Sequence, residues 1–325
     1  MNLLTSLRYL VALSEHRHFA RAAQACHITQ PALSNALRAL EKEFGTPIVK
    51  RARSYAGLTP EGERVLASAR RMLHEHALLQ QELASSAGQP QGRLQLGVVP
   101  TAVPVAARFA ALLQAAHPGI VPVVRSLSSQ EIEEGLENLS LDVALGFTGR
   151  LEKVEKLEKA GKGGPFAVLP QYAEHYFLVR RMQEPVRSKG AELHLGAAMR
   201  WLDAAQLPLC LLTPEMHNRS LVDSAFAQAG AVVRPVMETN SVLTLALSVL
   251  TGDVCSVLPG ALVGAVRSQG ELEALPLVAP EMHTPVGFIY LAKARPSRAL
   301  GAALALAQDA SWLRDAAQHS GALAD

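Results

Sequence analysis

Apolar residues near the start of the chain recur at helical spacing in short bursts. Phe19, Ala22 and Ala23 share one stripe, and after a polar break at Ala25–His27 a second stripe runs through Leu33, Leu37, Leu40 and Phe44. Two helices that pack together are predicted, with the small Ala22 and Ala23 letting them cross closely. Thr29 stands as N-cap of the second helix, and Gly45-Thr46-Pro47 ends it. Ile48 and Val49, with Leu58, favour two short strands closing on the same core. A longer helix starts at Thr59, where Thr caps, Pro60 takes the first position and Glu61 and Glu63 suit the dipole. Its seam of Val65, Ala69, Met72, His76, Leu79 and Leu83 alternates four- and three-residue steps, a coiled-coil period that implies pairing with another copy over roughly 40 Å.

Ser85–Gly92 is small, polar and broken by Pro90 and two glycines, and reads as a hinge. Beyond it strands and helices alternate: Leu94–Val99 then Ala102–Ala116, Ile120–Ser126 then Ser129–Leu139, and Leu141–Phe147. A second set comprises Tyr176–Val179, Leu209–Thr213, Pro235–Glu238 and Val254–Leu258, with helices after the last three, before Phe288–Leu291 and a closing helix. Such βαβ units predict mostly parallel sheets. Two lobes joined by two crossing strands account for the order, with lobe 1 at about 93–166 and 268–320 and lobe 2 at about 167–267.

The polar side of the second helix carries chemistry. With the apolar stripe turned inward, Gln30, Pro31, Ser34, Asn35, Arg38 and Lys42 face solvent behind Thr29. Amides and hydroxyls can read base edges in a major groove, and Arg and Lys suit phosphates or guanine. Lys50, Arg51 and Arg53 in the hairpin that follows are placed to lie over a phosphate backbone or enter a minor groove. Charge distribution agrees: residues 1–89 hold eleven Lys and Arg against seven Asp and Glu, so the overall +2 leaves −2 for the rest. The chain opens on no leader-like pattern and carries no apolar run long enough to span a bilayer, so a cytoplasmic protein without a membrane partner is expected. Cys26, Cys210 and Cys255 are scattered among apolar neighbours and read as reduced thiols, with a redox pair as the alternative. His74 and His76 cannot meet on a helix, and no metal or cofactor is expected. The charged repeat 151–159 reads as a solvated face, and Gly161–Gly164 lacks the frame of a phosphate loop.

Taken in order, Phe19, Ala22-Ala23, Thr29-Gln30-Pro31-Ala32-Leu33-Ser34, Leu40-Glu41, Gly45, Arg51 and Leu58-Thr59-Pro60-Glu61-Gly62 resemble the winged helix-turn-helix of LysR-type transcriptional regulators. Ile48-Val49 stands where that family more often has Leu-Phe. The resemblance implies an α/β chain with an N-terminal winged helix-turn-helix (1–59), a linker and dimerisation helix (60–87), a hinge (88–92) and a two-lobed effector domain like a periplasmic binding protein (93–320). It further implies double-stranded promoter DNA, RNA polymerase and a homodimer or homotetramer as partners, and a small-molecule effector, here expected to be a small anion. Thr213–Arg219 with Glu238–Ser241 looks nearest the cyanate-operon regulators.

Open parallel sheets bind ligands beyond the carboxyl ends of their strands, where helix N-termini present free N–H groups. That geometry nominates Pro100, Thr101, Ser128, Ser129, Thr148, Thr213, His217, Asn218, Asn240 and Ser241 as effector contacts. Each alone is explained by simple capping; their convergence is the argument. The competing reading is a small-acid-binding protein or an enzyme with an accessory DNA-binding head. No Ser-His-Asp order or metal cluster supports catalysis, and none is expected.

Overall fold

The computed structural model describes residues 2–51, 55–84, 89–149, 165–182, 193–266, 270–292 and 296–319. Arg53, the repeat at 151–159, Gly161–Gly164 and residues 85–88 of the expected hinge lie outside these, and Arg51 is described in its backbone alone. The chain divides into two compact units, residues 1–89 with 137–140 and residues 90–136 with 141–325.

In the first unit three helices, α1 (Leu3–His16), α2 (Phe19–Ala25) and α3 (Gln30–Phe44), surround one apolar core. Helix α1, whose Leu7, Leu10 and Leu13 are fully buried, completes the pair anticipated from the sequence. Asn2 caps it, and Arg17 leaves it in the left-handed conformation. Between α2 and α3 the backbone turns at His27, also left-handed, with Ile28 N–H bonded to the Ala23 carbonyl. Leu33, Leu37 and Leu40 enter the core as expected, whereas Phe44 is 42% exposed. It occupies the last position before Gly45 turns left-handed, where the helix has run past the core. Strands β1 (Val49–Arg51) and β2 (Tyr55–Leu58) pair antiparallel as a wing. Helix α4 (Pro60–Ala84) packs against α1 through its first turns, Leu66 and Ala69 being buried, while Leu79 and Leu83 further along stand 53% and 76% exposed.

The second unit holds two sheets. The first orders as β4-β3-β5-β14-β6, from β3 (Gly92–Val98), β4 (Ile120–Ser126), β5 (Val143–Phe147), β6 (Phe166–Glu174) and β14 (Thr284–Leu291). Strand β3 runs parallel to β4 and β5, and β14 inserts antiparallel between β5 and β6. Helices α5 (Val103–Ala116), α6 (Ser129–Glu137), Arg298–Ala307 and Ala310–His319 cover it, with Phe109 packed between the rings of Phe288 and Trp312. The second sheet orders as β11-β10-β12-β7-β13-β8, from β7 (Tyr176–Arg181), β8 (His194–Leu195), β10 (Leu209–Leu212), β11 (Met237–Thr239), β12 (Cys255–Pro259) and β13 (Leu272–Val278), with β9 (Met199–Arg200) also on β13.

Both sheets are mixed rather than mostly parallel, because β7 and β14, which carry the chain between lobes, run against their neighbours. Strand β13 belongs to the second sheet, paired with β7, so the chain returns to the first lobe at 279–283 and not at about 268. Likewise β6 sits in the first sheet, placing the outward crossing at His175. Among the described residues no helix is long and apolar enough to cross a membrane.

Candidate functional site

Helix α3 presents its polar side outward. Thr29 Oγ1 accepts from Ala32 N–H at 3.4 Å, and Pro31 sits in the first turn where its missing N–H costs nothing. Gln30, Pro31, Asn35, Arg38 and Lys42 are exposed and Ser34 is half-buried. Gln30, Ser34, Arg38 and Lys42 fall every fourth residue, a single ridge that starts beside the Leu33–Leu37–Leu40 stripe and slants away from it along the helix. Asn35 Oδ1 accepts from Arg38 at 3.4 Å, drawing the amide and guanidinium together. The wing is held to this helix by Glu41, whose Oε1 accepts from the Ile48 and Val49 N–H groups at 3.1 Å each. Lys50 is exposed on β1. A ridge of amide, hydroxyl and cationic groups beside a basic hairpin can position on phosphates and read bases.

In the second unit a cleft of 1160 Å³ opens between the lobes. Its first-lobe wall is the start of α6, with Ser128, Ser129, Gln130 and Glu133, and the end of β5, with Phe147 and Gly149. Its second-lobe wall is the helix His217–Gln228, which contributes His217, Ser220, Leu221, Ser224 and Gln228 at helical spacing. Met282, His283, Thr284 and Pro285, on the return crossing, form the floor. The His217 ring meets Phe147 with centroids 5.2 Å apart, a contact from lobe to lobe.

Two helix N-termini border this space and differ. Helix α6 is closed by a reciprocal pair: Ser128 Oγ accepts from Glu131 N–H, and Glu131 Oε2 accepts from Ser128 N–H at 2.8 Å. The helix His217–Gln228 follows Met216 and carries no side-chain cap. The positive end of its dipole therefore borders this space without a capping side chain in front of it, which suits a ligand oxygen.

Of the ten expected effector contacts, Ser128, Ser129 and His217 line the cleft. Thr148 is fully buried between two lining residues, with its N–H on the Pro285 carbonyl at 3.0 Å. Asn218 is buried and donates to the Tyr176 hydroxyl at 3.3 Å, which is paired with Thr284 Oγ1 at 3.1 Å. Burial, ahead of its hydrogen bonds, raises the Tyr176 pKa and keeps the phenol neutral. Thr213 Oγ1 donates to Glu215 at 2.7 Å, which lowers the Glu215 pKa. Ser241 caps its helix through Thr244 N–H, Asn240 is exposed beside it, and Pro100 and Thr101 form a helical turn after β3. None of Pro100, Thr101, Thr213, Asn240 and Ser241 lines the cleft. Met282, His283 and Thr284 were not anticipated: they come from a crossing whose position the alternation of strands and helices does not mark.

The thiols lie elsewhere. Cys210 and Cys255 are buried in β10 and β12, and Cys26 is half-buried after α2. Burial raises the pKa of Cys26 and of Cys255, so neither is an activated thiolate.

Comparison with known proteins matches residues 4–63 to the bacterial regulatory helix-turn-helix protein, lysR family, and residues 87–312 to the LysR substrate binding domain. The DNA-binding transcriptional dual regulator OxyR of Escherichia coli (strain K12) is 27% identical over 292 residues, covering 88% of each chain. Among solved structures, a full-length OxyR variant from Pseudomonas aeruginosa matches with TM-score 0.65 and 25% identity, covering 92% of this chain and 95% of that one. Full-length CbnR complexed with its target DNA matches in fold with TM-score 0.62 at 19% identity, over 97% and 99% of the two chains. These relatives are regulators and not enzymes. Similarity to OxyR overturns the expected nearness to cyanate-operon regulators, which rested on two short loop segments.

Proposed function

The chain belongs to the LysR family of bacterial transcriptional regulators, and from that premise we propose that it binds promoter DNA through α3 and the wing under control of a small organic effector held between its lobes. The cleft carries this reading. A space of 1160 Å³ is far larger than an inorganic anion needs and suits an organic molecule. Its acidic or hydroxyl end is placed at the uncapped first turn of His217–Gln228, near Ser128 and Ser129, and its apolar part against Phe147, Met216 and Met282. On the DNA side, Gln30, Ser34 and Asn35 address base edges, while Arg38, Lys42, Lys50, Arg51 and Arg53 address phosphates.

Several relatives are hydrogen peroxide-inducible genes activators. In this chain no cysteine lines the cleft, and burial raises the Cys26 and Cys255 thiols, which favours reversible ligand binding over thiol oxidation as the signal. The exposed stripe at Leu79 and Leu83 supports pairing of two copies along α4. Effector binding then shifts the population of lobe arrangements, the heads change spacing on the DNA, and contact with RNA polymerase in the cytoplasm changes with it.

The test is a thermal-shift screen of the full chain against small organic acids, alcohols and inorganic anions, followed by footprinting on DNA upstream of its own coding region. An organic ligand that raises Tm and changes the footprint is expected. Stabilisation by inorganic anions alone, or DNA binding insensitive to salt, overturns the reading.

A further inference from the structure

Glu174 ends β6 at the outward crossing between lobes and is fully buried. Its Oε1 accepts from Ala261 N–H at 3.0 Å, and the neighbouring Gly260 N–H bonds to the His175 carbonyl at 2.9 Å. Both donors open the short helix Gly260–Ala265, which follows β12 of the second sheet. That helix is rooted in two cores: Ala261 packs with the first lobe's cluster, Leu262 and Val263 with the second lobe's. The carboxyl therefore ties the first lobe to a wedge carried by the second.

The tie is incomplete. Glu174 Oε2 and the Tyr172 hydroxyl are both buried and neither has hydrogen-bond geometry to a partner among the described residues, although the two groups interact. A buried carboxylate left half satisfied is costly in charged form, and groups so placed titrate near neutrality. Burial raises the Glu174 pKa to about 8 against the lowering effect of the Ala261, Gly260 and Tyr172 interactions. The titratable groups around it are Tyr172 on β6, Tyr176 on β7 and His175 between them, the last meeting His283 of the return crossing edge to face with ring centroids 4.6 Å apart. The helix Gly260–Ala265 carries no charge.

We propose that Glu174 is a proton-operated latch on the inter-lobe hinge, neutral when the wedge helix is seated on the first lobe and ionised when the junction loosens and admits water. Protons bind the seated arrangement more tightly than the loosened one. The ratio of seated to loosened molecules then falls by up to about tenfold per pH unit between the ordinary carboxylate range and the raised value. Lobe setting, and with it the arrangement of the heads, becomes sensitive to pH without any organic ligand.

Trp201 reports on this hinge, since its Nε1–H donates to the Pro280 carbonyl of the return crossing at 3.0 Å and its ring lies against Tyr176. Full-length protein labelled with 5-fluorotryptophan is titrated from pH 6 to 9.5 while the fluorine resonances of Trp201 and Trp312 are followed. The Trp201 signal is expected to move as pH rises from 6 towards 8 and to level off above it, and Trp312, which shares the first-lobe core with Ala261, reports the same unseating from the other side. Glu174→Gln is expected to abolish the transition, and Tyr172→Phe, which removes a lowering interaction, to move the pH at which the signal levels off upward. A flat Trp201 profile in the unaltered protein, an unmoved plateau in Tyr172→Phe, or a transition that survives in Glu174→Gln overturns the proposal. Tyr172→Phe decides alone if Glu174→Gln fails to fold.

Discussion

Cys210 and Cys255 lie on neighbouring parallel strands one residue out of register, since Leu209 faces Cys255 and Cys210 faces Ser256. Successive side chains on a strand point to opposite faces, so the two sulfurs occupy different cores, Cys255 with Trp201 and Phe226, Cys210 with Leu245 and Leu262. A disulfide between them requires breaking the sheet. Peroxide treatment of the folded protein is expected to leave all three thiols without an intramolecular bond. Mass spectrometry after alkylation in denaturant checks this, and a Cys210–Cys255 crosslink contradicts it.

On the reading face proposed for α3, base contacts and phosphate contacts can be told apart by mutation. Gln30→Ala with Ser34→Ala is expected to cut the ratio of specific to non-specific DNA affinity by about 1–3 kcal/mol, because edge-reading groups are lost. Arg38→Ala is expected to weaken binding to all sequences and to reduce the salt slope by about 1. Competition binding at several salt concentrations distinguishes the two.

Gly62 carries a packing constraint. A Cβ there falls 2.1 Å from the Ile48 carbonyl oxygen, and that backbone is fixed by the Glu41 bonds and by the Thr59 hydroxyl on the Pro47 carbonyl at 2.7 Å. Gly62→Ala is expected to destabilise the head by about 1–3 kcal/mol and to weaken DNA binding. Denaturant unfolding of the full chain, followed with binding, measures it.

Much of the head was legible because one apolar stripe per helix and unambiguous stop signals leave little freedom. Thr29 caps and Gly45 terminates as their types suggest. Phe44 misled because stripe membership says nothing about where the partner surface ends. In the second unit, β6 and β13 give weak strand signals: Phe166–Glu174 and Leu272–Val278 each contain a proline and lack a clean alternation, β13 being paired on both sides and β6 lying at the edge of its sheet. Their omission misplaced both crossings, and hence the cleft floor at Met282–Pro285. The polar run Ser220, Ser224 and Gln228 on one helical face was a readable signal for the cleft wall.

Tyr176 joins Asn218, at the cleft helix, to Thr284, on the cleft floor. Tyr176→Phe leaves both buried groups short of a partner and is expected to cost about 1–3 kcal/mol. Calorimetry is expected to show the loss in the effector domain, and the DNA head to unfold as before.

Glu174 also gives stability a sign with pH. Its pKa is raised above the ordinary 4.5 to about 8 in the folded chain, so the folded state holds the proton more tightly than the unfolded one. The contribution is complete below 4.5 and is lost as pH rises towards 8. Tm is expected to fall across that window more steeply in the unaltered protein than in Glu174→Gln, and parallel curves contradict the assignment.

Strand β14 occupies the space between β5 and β6, although it is made long after both. On the ribosome, the head and α4 can finish folding while the first sheet still waits with two bare edges. Nascent chains can therefore reach DNA before they can respond to a signal, and any message cut short before Thr284 yields a permanently deaf binder with sticky, unfinished strands.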